Sequence, residues 1–356
     1  MHRRYEELWT QVREQVQQTS QATQATIENG RNAWARWWST VLPGGKSAAE
    51  PLAEPPRRVA LALGGGGGKG GAHLGVLRVL EEQGMPIDAV AGTSIGGAVA
   101  IFYAAGFSLD QVATLFHSFS LRRIATTDPT RTGFIGSRKR EQMLIDLLGN
   151  RTFADLRIPC AVVTVDLISG REVVIDQGPL VPAVMATSAL PAVFPPEVRG
   201  NELLADGGVV NNLPVDVAAR LACGARVVAV QLRDAPLTYE PMVSVPANPL
   251  ARLTLAPRQF AIANRALAIL MDQATELRLA QHPPAVWLCP DVGHISMLDM
   301  TRLEEGYRAG EEAARAALDE LLALRAWRLS EQAQQATPAL VSRPSDALDY
   351  IFEREG

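Results

Sequence analysis

A serine flanked by small residues is the feature of this sequence most suited to chemistry. Residues 92–96 read Gly-Thr-Ser-Ile-Gly, the GxSxG pattern, with Ser94 at its centre. The apolar segment that ends at Ala91 predicts a strand, and the small residues from Gly97 to Ala105 predict a helix. A serine on such a strand-to-helix turn is strained and exposed, as a nucleophile in acyl transfer must be. A plainer interpretation, in which Ser94 only caps a helix, is also open.

A run of glycines precedes the serine motif and offers backbone donors for an anion. Residues 64–71 read Gly-Gly-Gly-Gly-Gly-Lys-Gly-Gly, between a predicted strand and a predicted helix. A glycine loop at a helix N-terminus presents N–H groups and a favourable dipole. The anion is either a dinucleotide pyrophosphate, since Gly65, Gly67 and Gly70 fit GxGxxG, or the oxyanion of acyl transfer. Asp88, the acid available to a dinucleotide site, precedes the second predicted strand and so stands at the wrong end of the sheet.

A serine nucleophile requires a base, and the sequence offers one histidine and one aspartate for that role. His294 is the histidine that matches the chain order Ser, acid, His of α/β-hydrolases, but nothing around it supports catalysis. Asp206 ends an apolar segment and is followed by Gly207 and Gly208, which let the backbone turn and leave the carboxylate accessible. We therefore favour Asp206, although an Asp-Gly pair alone is typical of an ordinary Asx turn.

Together these motifs resemble the patatin-like phospholipase family. Order and spacing agree from about residue 57 to 232, and the resemblance rests on four segments: residues 61–77, 92–97, 187–196 and 206–214. It implies a Ser–Asp dyad without histidine. Ser94 would attack the ester carbonyl, and Asp206 would accept its proton and later help to activate water. The dyad requires Asp206 to be buried beside Ser94, because a carboxylate in water is too weak a base.

The same resemblance implies an oxyanion hole formed by the backbone N–H groups of Gly66, Gly67 and Gly68. Lys69 stands where members of the family more often carry arginine. The ammonium of a lysine is a point charge, whereas the guanidinium of an arginine binds a carboxylate through two N–H groups. A carboxylate partner of Lys69 would therefore be held less rigidly. The remaining motif glycines support these segments: Gly65, Gly70, Gly92, Gly96, Gly207 and Gly208.

The order of predicted elements indicates an α/β fold. Strands alternate with helices after Arg57, which predicts a three-layer α/β/α domain around a largely parallel sheet. The chain divides into four parts: an amphipathic helical arm at 1–45, a linker at 46–56, a patatin-like hydrolase domain at 57–329 and a polar tail at 330–356.

The N-terminal arm concentrates Trp34, Trp37 and Trp38 beside two arginines. Such a helix packs on the body of the protein or on a second copy. Alternatively it lies in a membrane interface, where tryptophan and arginine are favoured. The pattern does not choose between these roles and defines no oligomeric state.

Composition argues against several other classes. The chain has 356 residues, a net charge of −4 and no long basic block, so nucleic-acid binding is disfavoured. Its three cysteines form no CxxC pattern or Cys/His cluster, and no acidic loop has calcium spacing, so we predict neither a metal nor a cofactor. Without a recognisable secretory signal or a long apolar segment, we expect a cytoplasmic protein, peripheral at most to a membrane.

The sequence therefore favours a serine acyl-ester hydrolase of lipids, of the phospholipase A or lysophospholipase type. A general esterase, a thioesterase or an acyltransferase would use the same dyad. A non-catalytic lipid-binding scaffold would retain the same fold. Generic apolar pockets leave the lipid, the acyl chain and the position of cleavage undefined.

Overall fold

The computed structural model describes residues 56–118, 136–235 and 255–336. The predicted arm with its three tryptophans lies outside these ranges, as do most of the linker and the end of the predicted tail. None of the described helices combines the length and the apolar character of a membrane-spanning segment.

One sheet of eight strands forms the centre of the described fold. The strands are β1 (Val59–Leu63), β2 (Ala89–Thr93), β3 (Cys160–Asp166), β4 (Glu172–Ile175), β5 (Glu197–Arg199), β6 (Glu202–Asp206), β7 (Arg226–Val230) and β8 (Val286–Leu288). Their order is β5-β6-β3-β2-β1-β7-β8, and β4 also pairs with β3. Five neighbouring strands of the sheet run parallel: β3, β2, β1, β7 and β8. The other three, β4, β5 and β6, form antiparallel pairs. Short turns connect β3 to β4 and β5 to β6, and a short turn permits only antiparallel pairing.

Ten α-helices belong to the described residues. They are α1 (Gly71–Glu82), α2 (Ile95–Ala104), α3 (Leu109–Ser118), α4 (Arg138–Leu148), α5 (Leu180–Thr187), α6 (Gly208–Asn211), α7 (Val215–Leu221), α8 (Leu255–Gln281), α9 (Leu303–Ala316) and α10 (Leu318–Ala336). The last helix extends seven residues beyond residue 329, where the sequence predicts the end of the domain.

Alternation along β1 shows how the layers form. Val59, Leu61 and Leu63 pack on one face of the sheet with residues of α1, α2, α4 and α5. Ala60 and Ala62 pack on the opposite face with residues of α7. A strand that is buried on both faces reads as a continuous apolar run, as β1 does. The predicted three-layer α/β/α class is confirmed.

The parallel strands bring the chemical motifs to one edge of the sheet. β1 ends at Leu63, immediately before the glycine loop, and β2 ends at Thr93, immediately before Ser94. Because ligands of open α/β sheets bind at the carboxyl ends of the strands, this edge is where a functional site is expected.

Candidate active site

Ser94 occupies a strained turn between β2 and α2. Its φ is 56°, in the left-handed region that non-glycine residues rarely adopt. The Ser94 N–H donates to Oγ1 of Thr187 at 3.0 Å, and that hydroxyl donates to the carbonyl of Val163 at 2.6 Å. The strain at Ser94 is therefore maintained by hydrogen bonds to the neighbouring strand and helix.

Close backbone contacts explain the two glycines of the serine motif. A Cβ atom at Gly92 would lie 2.3 Å from the carbonyl oxygen of Gly96. A Cβ atom at Gly96 would lie 2.2 Å from the carbonyl oxygen of Leu63. Both distances are far below van der Waals contact, so the turn packs against itself and against the end of β1 only because side chains are absent.

Sheet register brings Asp206 to Ser94. Thr93 pairs with Val163 on β3, and the next residue of β3, Thr164, pairs with Asp206 on β6. The Ser94 hydroxyl donates to Oδ2 of Asp206 at 2.5 Å. The backbone N–H of Gly208 donates to Oδ1 at 2.9 Å. The two residues predicted as nucleophile and base are thus in direct contact, although they are 112 positions apart.

Burial changes the basicity of Asp206. Asp206 is 2% exposed. Desolvation raises the pKa of Asp206 to about 6, while hydrogen bonds from Ser94 and Gly208 and the charge of Arg140 act in the opposite direction. A carboxylate of this pKa is ionised at neutral pH and is a better base than a solvated one, as proton abstraction requires.

The glycine loop is anchored by three of its N–H groups. Gly64 donates to the carbonyl of Val230 and Gly65 to that of Asn212, both at 3.0 Å. Gly68 donates to the carbonyl of Met297 at 2.7 Å. The prediction of Gly68 as an oxyanion donor therefore does not fit this structure, because its only N–H is already bound.

Gly66 and Gly67 remain available as donors. Within the described residues their N–H groups make no backbone hydrogen bond. Gly67 has a φ of +56° and lines the same pocket as Ser94. A Cβ atom at Gly67 would lie 2.1 Å from the carbonyl oxygen of Met297, so this position also requires glycine.

Lys69 anchors the glycine loop through a carboxylate. The residue is 1% exposed, and its ammonium forms an ion pair with Asp234, which follows β7. It also approaches the carbonyl oxygen of Arg233 at 3.4 Å. Sequence reasoning missed Asp234, because a partner 165 positions away leaves no local pattern.

The structure gives no support to the two alternative assignments. The ring of His294 is exposed and its Nε2 lies 2.5 Å from Oε1 of Glu305, so its nearest carboxylate is not Asp206. Asp88 accepts from the N–H of Val59 at 2.8 Å and from Arg328 at 2.9 Å. Asp88 therefore lies at the start of β1, opposite the glycine loop, and does not complete a dinucleotide site.

His73 is a structural residue. It is fully buried in α1, and its Nε2 lies 2.7 Å from the carbonyl oxygen of Gly64. Burial lowers the pKa of His73 to about 4, so the ring is neutral at physiological pH and donates this hydrogen bond. His73 thereby fixes the start of the glycine loop.

Ser94 opens into a predominantly apolar pocket. Most of its wall comes from α2, α4 and α5, from residues 188–194 and from the loop before α9. The lining residues are Gly67, Ser94, Ile95, Ala98, Phe102, Phe116, Arg140, Leu144, Val184, Ser188, Leu190, Phe194, Met297, Leu298 and Met300. Such a wall suits a hydrocarbon chain. In the described part of the chain, no group of three or more His, Cys, Asp or Glu side chains is arranged to hold a metal ion.

The fold and the site together define the class of α/β proteins that present a serine on a strand-to-helix turn beside a glycine-rich loop. Residues 61–219 match the family model for patatin-like phospholipase, and this part of the chain is a patatin-like phospholipase domain.

Curated relatives share this region. An uncharacterized NTE family protein of Mycobacterium tuberculosis is 39% identical over 161 residues, which is 44% of this chain and 44% of that protein. Neuropathy target esterase of Drosophila melanogaster is 31% identical over 183 residues, which is 49% of this chain and 13% of that protein. The chain thus spans less than half of the length of either relative.

A solved structure supports the fold. The crystal structure of VipD from Legionella pneumophila superposes with a TM-score of 0.50 at 14% identity, covering 76% of this chain and 67% of that chain. At this identity the likeness concerns architecture alone.

Proposed function

We propose that the domain hydrolyses acyl esters of lipids, with Ser94 as nucleophile and Asp206 as base. The observation that carries the proposal is the 2.5 Å hydrogen bond from Ser94 Oγ to a buried Asp206 carboxylate. Ser94 faces an apolar pocket, as an enzyme for fatty acyl groups requires. The name of one relative, neuropathy target esterase, agrees with an ester substrate.

The proposed reaction has two halves. As Oγ of Ser94 attacks the ester carbonyl, Asp206 accepts the hydroxyl proton and then passes it to the departing alcohol. The acyl group is left on Ser94. A water molecule then attacks the acyl-serine, Asp206 takes its proton, and the fatty acid leaves as Ser94 regains its hydrogen.

The negative charge that forms on the carbonyl oxygen requires donors. The N–H groups of Gly66 and Gly67, which have no backbone partner among the described residues, supply them, together with the N-terminus of α2, which begins at Ile95. One such donor typically lowers the barrier by about 3 kcal/mol. The Lys69–Asp234 pair keeps the loop that carries these donors in place.

The substrate class within lipids is a further part of the proposal. We favour phospholipase A or lysophospholipase activity over a general esterase, thioesterase or acyltransferase. We also include peripheral contact with a membrane through Trp34, Trp37 and Trp38, which rests on the amino-acid pattern alone.

A lipid panel tests the proposed activity. Phospholipids, lysophospholipids, acylglycerols and an acyl-thioester are incubated with the wild type, with Ser94→Ala and with Ser169→Ala, a control in an exposed turn. We expect the wild type and the control to release fatty acid. Ser94→Ala should release it at least about 10⁴-fold more slowly, because the nucleophile is removed. Release of fatty acid by Ser94→Ala at the wild-type rate would refute the proposal. No release from any ester by the wild type would favour a lipid-binding scaffold.

The pH dependence follows from Asp206. Its pKa of about 6 means that the base is protonated, and therefore inactive, in acidic solution. We expect kcat/KM on a non-ionisable ester to rise about tenfold per pH unit below pH 6 and to level off above it. Initial rates between pH 4 and 9 measure this profile. A plateau that extends unchanged down to pH 4 would show that Asp206 is not the base.

A further inference from the structure

A buried arginine stands in the wall of the pocket that contains Ser94. Arg140 belongs to the first turn of α4 and is 4% exposed. Among the described residues that line the pocket it is the one cation, in a wall that is otherwise apolar apart from Ser94 and Ser188. Arginine is rarely buried without a partner of opposite charge.

The contacts of Arg140 orient the guanidinium but do not neutralise it. Nη1 donates to the carbonyl of Ser188 at 3.0 Å, and Nη2 donates to the carbonyl of Met185 at 3.4 Å. The ring of Phe194 lies with its centroid 4.2 Å from Cζ. These partners hold the guanidinium plane by two carbonyl dipoles and one aromatic face.

One donor of Arg140 is unused. The buried Nε–H has no hydrogen-bond partner within the described residues. None of the ion pairs of those residues includes Arg140. The carboxylates of Glu197, Asp206 and Glu141 act on it only at longer range. Burial lowers the pKa of Arg140 to about 10, so the charge persists at neutral pH.

A purely structural role explains only part of this arrangement. The two carbonyl dipoles at the end of α5 and the ring of Phe194 engage the two Nη groups and one face of the guanidinium, but they leave the Nε–H without a partner among the described residues and supply no full negative charge. The charge and the free Nε–H are instead what a bound oxyanion would use, since guanidinium groups bind phosphate through paired N–H donors.

We propose that Arg140 forms an anion subsite beside Ser94, which selects acyl esters that carry a phosphate near the ester bond. The inference rests on the proposed hydrolase function and names its substrate class. The acyl chain occupies the apolar wall, and the phosphate accepts from the guanidinium. Lipid phosphate and free inorganic phosphate share this chemistry, and the experiment separates them.

The test compares two substrates that differ by one phosphate, 1-acylglycerol 3-phosphate and 1-acylglycerol with the same acyl chain. For the wild type we expect kcat/KM to be at least about tenfold higher for the phosphate ester, mainly through KM. Arg140→Met should bring the ratio close to one, and Arg140→Lys should retain part of it. Arg138→Met, on the exposed side of the same helix, is the matched control and should keep the wild-type ratio.

Three results would overturn the proposal. An equal decrease in kcat/KM for both substrates in Arg140→Met would show that the residue only supports the fold of the pocket. A wild-type ratio near one without inhibition by inorganic phosphate would show that Arg140 binds no phosphate, and it can be measured even if Arg140→Met does not fold. A wild-type ratio near one together with competitive inhibition of 1-acylglycerol hydrolysis by millimolar inorganic phosphate would instead assign the subsite to free phosphate. Hydrolysis of 1-acylglycerol by the wild type separates all of these from failure of the hydrolase function itself.

Discussion

Asp206→Asn is expected to lower kcat by about 10³-fold or more, which is within the usual range for loss of a general base. The amide has the shape of the carboxylate and can still accept from the Gly208 N–H. It cannot accept the proton of Ser94, because its nitrogen would face the hydroxyl as a donor. Single-turnover and steady-state hydrolysis of one lysophospholipid measure the effect.

The same substitution should make the protein more stable at neutral pH. The pKa of Asp206 is raised from 3.8 to about 6 on folding, so the folded state binds the proton more tightly than the unfolded state. The protonated Asp206 therefore makes its full contribution to the free energy of unfolding below about pH 4, and this contribution is lost as the pH rises through 6. The ionised carboxylate then costs about 3 kcal/mol, which Asp206→Asn removes. Urea unfolding at pH 8 should show the gain, and at pH 4 the two proteins should differ little.

This pairing of outcomes distinguishes a catalytic role from a structural one. A residue that only supports the fold would lose activity and stability together when replaced. Lower stability of Asp206→Asn at pH 8, or activity within about tenfold of the wild type, would contradict the assignment of Asp206 as a buried base.

Gly67→Ala is expected to reduce kcat by about 10²- to 10³-fold, the usual effect of losing one oxyanion donor. The new methyl group would collide with the carbonyl of Met297 at 2.1 Å, so the loop must move and carry its N–H away from Ser94. Because substrate binding relies mainly on the apolar wall, KM should change much less than kcat.

Gly84→Ala is the matched control for this loop variant. Gly84 has a φ of +58°, close to the +56° of Gly67, but the nearest atom to an added Cβ is 3.7 Å away on Arg325. The control therefore adds the same backbone strain, about 1 kcal/mol, away from the pocket. We expect near wild-type kcat for Gly84→Ala. Equal kinetic losses in the two variants would assign the effect to strain and not to the oxyanion donor.

Local patterns in the sequence were sufficient to predict which edge of the sheet carries the candidate active site. The apolar runs of β1, β2 and β3 and the small residues around Ser94 each define one element without help from distant residues. Asp206 could be selected because it ends an apolar run before two glycines. Contact between Asp206 and Ser94 then follows from the register of β6 on β3, which no local pattern encodes.

Other features depend on tertiary contacts and were missed for that reason. Residues 180–187 form an apolar run that ends in a threonine, and its periodicity does not distinguish helix from strand. Arg140 reads as part of a charged surface segment, yet its side chain enters the pocket. The bond from Gly68 to Met297 exists only because the loop before α9 folds back on the glycine run.

Covalent labelling of the nucleophile tests the central claim most directly. The wild type and Ser94→Ala are incubated with an alkyl fluorophosphonate, and the labelled peptides are identified by mass spectrometry. The Ser94–Asp206 assignment predicts one phosphonate on the peptide that contains Ser94, slower labelling in Asp206→Asn and no label in Ser94→Ala. A phosphonate on a different serine, with loss of hydrolysis in step with that label, would contradict it.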